Sequence, residues 1–505
     1  MGFYEDFKKI RNRMKAYSKV DIFNLCMDAL AQVWGLHLWD VHQKQLPYPM
    51  HVLSLLKWGL IYGEHPHNAR KPFSSHEFLQ FYKDISNLSA LNELCASGDP
   101  LAIHKITRAI MSHQLNYQKK SGLHGFVLLE IIFVQIGLKY DSDGSMNQIC
   151  GMSIQEYITL QLILLESIVM NPKLRTFDLN YFQNLFSEYG KDKILNFLQL
   201  NSCDFRELEG FLLHDHKRIG KPEYEHAILS SLYKKPLFRE RHRFTPYHTA
   251  LIEANIEFGV YDILKEADPE NFCSPFGNAF EEYINIALQN ARIKAMREDE
   301  IRHYAHRDRV CDFIINDKDT TIFLEAKSAE MHYLTRQNPQ QEYLKRTLQN
   351  SLISGYQQII TLVDTLRQRK DPFTEGKEVY GIIVTFKDLL LGDPEDIWLE
   401  FMKDFMNSML EKRVAEDLPL NPDKIFVISA YDLDHMLAYA TKTNKSISDC
   451  LKIAFERNHS GDRTFFFHDN FKDDSIKVLE SPHLWATFKS IAARIENALK
   501  KSNER

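Results

Sequence analysis

Two short apolar segments in the second half of the chain constrain the fold more than any other feature of the sequence. Residues 308–315 and 320–325 are rich in Val, Ile, Phe and Leu, whereas residues 316–319 between them are polar. Two β-rich runs that are joined by a few turn-forming residues predict an antiparallel hairpin. A hairpin this apolar needs further layers of structure to bury it, so we expect it to belong to a larger sheet.

The surrounding segments alternate between helical and strand-like patterns. Apolar residues recur at steps of three and four along residues 340–369, which predicts a long amphipathic helix. The other predicted elements are a helix at 277–289, a buried strand at 379–384, a helix at 396–412, a strand at 424–429 and a helix at 432–440. This alternation indicates an α/β domain, a mixed sheet flanked by helices.

The first part of the chain, up to about residue 235, is predicted to be almost all helix. Ser153 and Glu156 form a predicted capping box before an apolar run. Two apolar stretches, 125–138 and 154–170, contain Glu and Gln and are too short or too polar to span a bilayer. We therefore expect them to be buried core helices, with no membrane contact.

A basic stretch that contains a proline, residues 234–243, separates the two patterns. It predicts a boundary between a helical region at residues 1–240 and the α/β domain at residues 241–505. Two interpretations of the stretch stay open, a solvated linker or a phosphate contact. The helical region contains no motif of its own chemistry, which suggests sensing, docking to a partner protein, or oligomerisation as a dimer.

Charge and cysteine content exclude several classes of protein. The net charge is −6, so any contact with nucleic acid must come from local basic patches. Seven cysteines are scattered without CxxC pairs, which argues against a disulfide framework and a zinc ribbon. The charged N-terminus lacks the apolar run of a secretory signal, so we expect a cytoplasmic protein. The sequence also lacks a Walker A loop, a Rossmann glycine fingerprint and a GxSxG elbow.

Charged residues within the predicted hairpin indicate chemistry. Asp312 lies in the first apolar segment, and Glu325 and Lys327 are two residues apart at the end of the second. Strand geometry places Glu325 and Lys327 on one face, and an antiparallel partner can bring Asp312 beside them. Clustered carboxylates need a cation, and oxygen ligands favour Mg²⁺ or Mn²⁺. A lysine beside such a metal can hold the attacking water in phosphodiester hydrolysis.

This pattern resembles the PD-(D/E)xK nuclease superfamily, over roughly residues 274–429. Asp312 followed by Glu325-Ala326-Lys327 matches the motif, with Cys311 where the motif's proline would stand. Upstream, residues 277–283 resemble the family's first helix, in which Glu281 corresponds to the acid that points at the metal. Downstream, residues 355–359 resemble the helix that brings a glutamine to the site. Gln358 is the preferred candidate, because it directly precedes an aliphatic residue, and Gln357 is the alternative.

The resemblance implies a restriction-endonuclease-like domain that cuts nucleic acid, DNA more than RNA, as in bacterial anti-phage or restriction effectors. It implies that Asp312 and Glu325 ligate Mg²⁺ or Mn²⁺ together with the Ala326 carbonyl, and that Glu281 binds indirectly or completes a second metal site. Lys327 would position the water, and Gln358 would orient Lys327 or the phosphate. The products would carry a 5′-phosphate and a 3′-hydroxyl.

Each interpretation has a structural alternative. Asp312 and Lys327 could form an ion pair in an ordinary hairpin, Glu281 could be an exposed helix residue, and Gln358 a solvated one. The whole domain could be an inactive nuclease-like fold that binds nucleic acid or protein, or a module that only dimerises. Further ligand-capable or groove-lining side chains, without a matching metal-spaced pair, are His65, His67, His214, Asp215, His216, His303, Tyr304 and His306.

Overall fold

The structure is a computed structural model of the 505-residue chain. It describes residues 2–88, 106–108, 110–111, 114–117, 122–171, 174–222, 225, 229–328, 348–409, 418–461, 464–471 and 475–503. The chain divides into two compact units. Unit 1 comprises Met1–Leu129, Asp141–Asp268 and Ile491–Arg505, and unit 2 comprises Glu130–Tyr140 and Pro269–Ser490.

Unit 1 is mainly helical. Its helices are α1 (Phe3–Met14), α2 (Lys19–Gln32), α3 (Leu38–Gln43), α4 (Pro49–Tyr62), α5 (Ser75–Ser86), α6 (Gly122–Glu130, whose last residue belongs to unit 2), α7 (Ser142–Cys150), α8 (Ile154–Met170), α9 (Phe186–Tyr189), α10 (Lys191–Leu200), α11 (Phe205–Ile219) and α12 (Thr249–Ala267). The predicted capping box is present at the start of α8, where Ser153 and Glu156 each bond the other's backbone N–H. The described residues contain no single helix long and apolar enough to cross a membrane, although the bent pair α7 and α8 passes that test by length and composition alone.

Unit 1 also contains a small sheet that the sequence analysis did not predict. Its strands are β1 (Phe177–Asp178), β2 (Ser202–Cys203), β3 (Leu237–Glu240) and β4 (Arg243–Pro246), in the order β1-β4-β3-β2. The basic stretch 234–243 therefore forms most of the β3–β4 hairpin rather than a linker, and Arg241 occupies the left-handed region at its turn, with φ of 55°. The division between the units falls after Asp268, not at residue 240, because this hairpin and α12 belong to unit 1.

A buried network of charges crosses the core of unit 1. The Lys57 ammonium lies 2.7 Å from Asp215 and 2.9 Å from Glu225, and the Trp58 indole N–H donates to the other Glu225 oxygen at 2.7 Å. His216, one of the ligand-capable residues of the sequence, places a ring nitrogen 2.8 Å from Glu225. Arg218 also lies 2.7 Å from Asp215, so two cations face the two carboxylates and these residues are explained without a metal.

Unit 2 contains the predicted α/β domain. Its helices are α13 (Pro269–Asn290), α14 (Glu298–Ala305), α15 (Ser354–Gln368), α16 (Pro394–Ile397), α17 (Lys403–Met409), α18 (Ala430–Thr443), α19 (Ile447–His459) and α20 (Pro482–Asn503, whose last part belongs to unit 1). Its strands are β5 (Ala295–Arg297), β6 (Phe313–Asp317), β7 (Thr320–Lys327), β8 (Glu378–Thr385) and β9 (Ile425–Ser429).

The strands form a mixed five-stranded sheet in the order β5-β6-β7-β8-β9. β5, β6 and β7 pair antiparallel, and β8 and β9 continue the sheet in parallel with β7. Asp317 pairs with Thr320, so the turn of the predicted hairpin contains only Lys318 and Asp319, with φ of 54° at Lys318. The fold class of the sequence analysis, a mixed sheet flanked by helices, is confirmed at this coarse level.

Helix α15 packs closely on the middle of this sheet. The stripe predicted for residues 340–369 is buried where it is described, and Ile359, Val363 and Leu366 belong to one apolar cluster with Phe323 and Ile383. Gly355 and Gly381 permit the close approach of α15 to the sheet, because glycine has no side chain. A Cβ at position 381 would lie 3.2 Å from Cγ2 of Ile359, and one at position 355 would lie 3.2 Å from Cδ1 of Ile383. Residues 340–347 and 410–412 of the two predicted helices lie outside the described residues.

Candidate active site

At one end of the unit 2 sheet, the ends of its five strands lie side by side; this end is called the sheet edge below. Arg297 at the end of β5 pairs with Phe313 at the start of β6, Lys327 at the end of β7 pairs with Thr385, and Thr385 pairs with Ser429 at the end of β9. Backbone pairing stops along this edge, which leaves polar groups available to side chains and ligands. The residues predicted for the site lie at its centre.

Asp312 lies immediately before β6, not within the strand as the sequence suggested. The antiparallel ladder with β7 begins at Phe313, which pairs with Leu324. Beyond this pair the Asp312 carboxylate replaces the backbone acceptor of β6, because its Oδ2 accepts a hydrogen bond from the backbone N–H of Ala326 at 2.6 Å. The side chain is only 8% exposed and is held against the end of β7 by this bond.

Glu325 and Lys327 share one face of β7, as strand periodicity predicts, and the Lys327 ammonium donates to Oε1 of Glu325. Glu325 is 1% exposed, partly because α15 passes directly over it. A Cβ at position 355 would lie 3.4 Å from its Cγ, so the backbone of α15 passes close to this side chain. The second oxygen, Oε2, is buried and has no hydrogen-bond partner among the described residues.

Gln358 of α15 completes the contact with Lys327. Its Oε1 accepts from the Lys327 ammonium at 3.2 Å, while its Nε2 donates to the Val310 carbonyl at 2.9 Å. Only this orientation of the amide satisfies both neighbours, because an ammonium only donates and a carbonyl only accepts. Gln358, not Gln357, is therefore the glutamine that reaches the lysine.

The electrostatics of the pair are those of carboxylates that lack a sufficient counter-charge. Burial raises the pKa of Glu325 to about 7, although the Lys327 ammonium opposes the shift. Burial and then the Glu325 carboxylate raise the pKa of Asp312 well above its usual range, against the Ala326 N–H and Lys327. Two buried acids beside each other disfavour the state in which both are charged.

Glu281 lies near Asp312 and Glu325, but its carboxylate pairs with Arg297. It is on α13, in the turn after Gly277, where an added Cβ would lie 3.5 Å from Oγ of Ser328 at the end of β7. Its Oε1 lies 3.6 Å from a guanidinium nitrogen of Arg297. Its charge contributes to the raised pKa of Asp312, so the two side chains are within electrostatic reach.

A further acid, Glu298, was not predicted from the sequence. It is the first residue of α14, directly after β5, and it accepts from Arg302 at 2.6 Å. Burial and then the Glu298 charge raise the pKa of Glu281, and Glu298 also acts on Glu325. The strand before it has only three residues, so no periodic pattern marks this position in the sequence.

The donor set fits a divalent cation in part. Among the described residues, no group of three or more His, Cys, Asp or Glu side chains is arranged to hold a metal ion. Asp312 and Glu325 nevertheless offer carboxylate oxygens, of which Glu325 Oε2 is buried and unpartnered within the described structure. Such an oxygen is costly unless a cation or donor joins it. The third predicted ligand, the Ala326 carbonyl, lies on β7 between Glu325 and Lys327.

The remaining candidates of the sequence are not brought into this cluster by any described contact. Tyr304 donates to Asp371 at 2.6 Å, and the exposed rings of His303 and His306 meet edge-on with centroids 6.3 Å apart. In unit 1, His67 lies in a short exposed 3-10 helix (Pro66–Asn68) and His65 directly precedes it. These side chains are explained by surface or local contacts.

Comparison of the chain with protein-family models, with curated proteins and with solved structures found no match in any of the three. The functional argument therefore depends on the side chains of the sheet edge and on the motif that they form.

Proposed function

We propose that unit 2 is a metal-dependent nuclease that hydrolyses phosphodiester bonds, with DNA as the favoured substrate and Asp312, Glu325 and Lys327 at its centre. The observation that carries the proposal is the convergence of two buried carboxylates and an ammonium at one sheet edge, with one carboxylate oxygen left unpartnered in the described structure. An ordinary structural ion pair would satisfy both oxygens of a carboxylate that is 1% exposed.

Three elements contribute to the arrangement in the order of the PD-(D/E)xK motif. Helix α13 carries Glu281, the β6–β7 hairpin carries the acids and the lysine, and α15 returns Gln358 to the lysine. A restriction-endonuclease-like identity of the domain is part of the proposal, and this order of elements and side chains supports it. Mg²⁺ or Mn²⁺ would be held by Asp312, Glu325 and the Ala326 carbonyl, and when bound would stabilise charge on the phosphate and activate water.

The chain's own residues have distinct roles in the reaction. The Lys327 ammonium holds the attacking water and offsets negative charge that develops on the phosphate oxygens. Gln358 fixes the position of that ammonium through its bonds to Lys327 and Val310. Water attacks phosphorus and loses a proton to solvent, the bond to the 3′ oxygen breaks, and the leaving oxygen takes a proton from solvent, so the products carry a 5′-phosphate and a 3′-hydroxyl.

The test is a cleavage assay of the full chain on supercoiled plasmid, linear duplex, single-stranded DNA and RNA. We expect cleavage with Mg²⁺ or Mn²⁺, little with Ca²⁺, whose looser coordination positions water poorly, and none in excess EDTA. Lys327→Ala and Asp312→Asn should each lower the rate at least about a hundredfold.

Lys424→Ala is the matched control. Lys424 also pairs with a glutamate of the same sheet, Glu378 at 2.7 Å, but at the opposite end of β8. The control should cleave within about twofold of the wild type, since Lys424 lies at the end of the sheet opposite to the site residues. Activity that survives in EDTA or in Lys327→Ala would refute the proposal. Nucleic-acid binding without cleavage under every metal would favour the inactive binding module instead.

We further propose that unit 1 recognises a partner or holds a dimer, as in a defence effector whose cutting is regulated. Unit 1 is mainly helical, and the buried charges around Lys57 form a structural network rather than a reactive site. A role in recognition or dimerisation is therefore favoured over chemistry in this unit. Sedimentation of the full chain with and without DNA tests it. A monomer under both conditions that also captures no partner would remove the proposal.

A further inference from the structure

The sheet edge carries more negative charge than the cations beside it can balance for a nucleic acid. Its acids are Asp312, Glu325, Glu281 and Glu298. Three cations beside them are each paired with a glutamate, namely Lys327 with Glu325, Arg297 with Glu282 and Arg302 with Glu298. Nucleic acid is a polyanion, so a strand that lies along this edge needs further cations to hold its phosphates.

Arg309 supplies one such cation, on the short segment that leads into β6. The neighbouring residues Arg307 and Val310 both bond to α15, at 3.2 Å and 2.9 Å, so the segment is anchored on either side of it. The Arg309 side chain is exposed and makes no ion pair or hydrogen bond within the described structure, even with the adjacent Asp308. Its guanidinium is therefore available to a ligand, one residue before the carbonyl that Gln358 binds.

Lys387 lies on the other side of β7, just beyond the end of β8. The Phe386 N–H donates to the Lys327 carbonyl at 3.2 Å, and the Lys387 carbonyl accepts from Oγ1 of Thr385 at 2.8 Å. These bonds hold the Lys387 backbone against the sheet edge, two residues after the strand partner of Lys327. Its side chain is partly exposed, and its ammonium lies 6.0 Å from the centre of the Phe386 ring.

The two cations flank Lys327, because β6 and β8 are the two neighbours of β7. Paired strands lie about 4.8 Å apart, so the start of β6 and the end of β8 are roughly 10 Å from each other, with Lys327 between them. Lysine and arginine have long side chains, so both head groups reach beyond these strand ends. A nucleic-acid strand that crosses the sheet edge from β6 to β8 can therefore place one phosphate at each cation.

We propose that Arg309 and Lys387 bind the phosphates on either side of the one that is cut at Lys327. The inference rests on the proposed nuclease function and names the course of its substrate, which crosses the ends of β6, β7 and β8. A strand that is held on both sides of the cut continues beyond the site in both directions. The cut is therefore internal, and the enzyme is an endonuclease that needs no strand end.

The first test measures binding of a fluorescein-labelled DNA oligonucleotide to the full chain by anisotropy, with Ca²⁺ in place of Mg²⁺ and at several KCl concentrations. Each phosphate contact contributes about 0.7–0.9 to the slope of log affinity against log salt, so Arg309→Ala and Lys387→Gln should each lower the slope by that amount. Glutamine keeps most of the lysine stem over Phe386, and urea unfolding checks that both variants are folded. Slopes equal to that of the wild type in both variants, or no binding, overturn the proposal.

The matched control is Arg367→Ala, which should bind as the wild type does. Arg367 is also exposed and without an ion pair or hydrogen bond from its side chain in the described part of the chain. It lines a cavity with Glu378, the first residue of β8, and so lies by the end of the sheet opposite to the site. A slope that falls as much in this variant as in Arg309→Ala also overturns the proposal.

The second test separates this proposal from the nuclease proposal. Cleavage is measured on oligonucleotides in which one phosphate at a time is replaced by an uncharged methylphosphonate. In the wild type, a neutral group on either side of the cut should slow cleavage about tenfold, because a charge-assisted contact is lost. Arg309→Ala should be insensitive to the neutral group on one side and Lys387→Gln on the other, since each contact is then already absent. Closed single-stranded circles should also be cut.

The outcomes of this test distinguish the two proposals. Variants that respond to every methylphosphonate as the wild type does, or cleavage that starts only from strand ends, overturn this proposal while the nuclease proposal stands. Lowered salt slopes in a chain that cleaves under no metal show that the two cations bind phosphate, and they overturn the nuclease proposal alone.

Discussion

Replacing Glu325 with glutamine tests the electrostatic basis of the site without depending on activity. In the metal-free protein the side chain is 1% exposed and burial raises its pKa to about 7. Gln has the same shape, keeps an oxygen for the Lys327 ammonium, and carries no charge. We therefore expect Glu325→Gln to be more stable than the wild type at alkaline pH, in the absence of metal.

The direction of this change in stability follows from the raised pKa of Glu325. The contribution of Glu325 to the stability of the wild type is fully present below the unfolded pKa of 4.5 and is lost as the pH rises through the folded pKa of about 7. A shift of this size corresponds to on the order of 3 kcal/mol once both values are passed. Relative to the wild type, Glu325→Gln should therefore gain about 2–3 kcal/mol of unfolding free energy between pH 5 and pH 8.

Urea unfolding in EDTA at pH 5 and pH 8 measures this gain. Glu378→Gln is the control of opposite sign. Burial raises the pKa of Glu378, but bonds from Lys424 and Tyr380 outweigh it and lower the pKa. Its contribution is present above the unfolded pKa and is lost in acid, so the control should lose stability at pH 8. A Glu325→Gln difference that is equal at both pH values would refute the reasoning.

Three further outcomes are expected. Mg²⁺ at a hundred times its Kd should stabilise the wild type by about 2.7 kcal/mol in urea unfolding and should stabilise Glu325→Gln far less. Gln358→Leu should keep the fold but lower kcat about tenfold, with a stability cost of about 1–2 kcal/mol, because it frees the site lysine. Lys57→Met should cost about 3–5 kcal/mol at pH 7, since Asp215 and Glu225 lose their ammonium. The lowered pKa values of these two acids predict that the Lys57 contribution is lost as the pH falls below about 4 in an acid titration of stability.

The parts of unit 2 that could be predicted are those with a strong period. The apolar stripe of α15 and the buried run of β8 each extend over several residues, and burial on the sheet requires those patterns. The strand ends were less predictable. Asp312 follows Cys311 in an apolar run, yet it lies outside β6, because its side chain replaces the backbone acceptor for Ala326. Hydrogen bonds from a side chain to the backbone produce no periodic pattern in the sequence.

The motif residues of the site could be predicted because their spacing lies within one hairpin. Glu325 and Lys327 are on one strand, and the hairpin turn brings Asp312 to them. Glu298 lies outside this hairpin, directly after a three-residue strand. Only the pairing of β5 with β6 brings Glu298 to the site, and no local pattern in the sequence predicts that pairing.

The boundary between the units could not be predicted from composition. The basic stretch 234–243 has the charge and the proline of a linker, but Leu237 and Phe244 are buried in the small sheet of unit 1. Residues 130–140 belong to unit 2, although the residues before and after them belong to unit 1. Residues 491–505 belong to unit 1, although the residues before them belong to unit 2. Contacts between residues far apart in sequence decide such exchanges, so a change of periodicity locates the α/β domain but not its limits.

The position of the site at the ends of strands has a physical reason. Within the ladder β7 pairs with β6 on one side and with β8 on the other, so its backbone polar groups are engaged in the sheet. At the edge the Ala326 N–H is released from β6 and is bound by Asp312 instead, which fixes the acid relative to Glu325. The pairing of Lys327 with Thr385 and of Thr385 with Ser429 aligns the ends of β7, β8 and β9 with one another. A shift of one residue in β7 would turn Glu325 and Lys327 to the other face, so the buried pattern that fixes the sheet also fixes the chemistry.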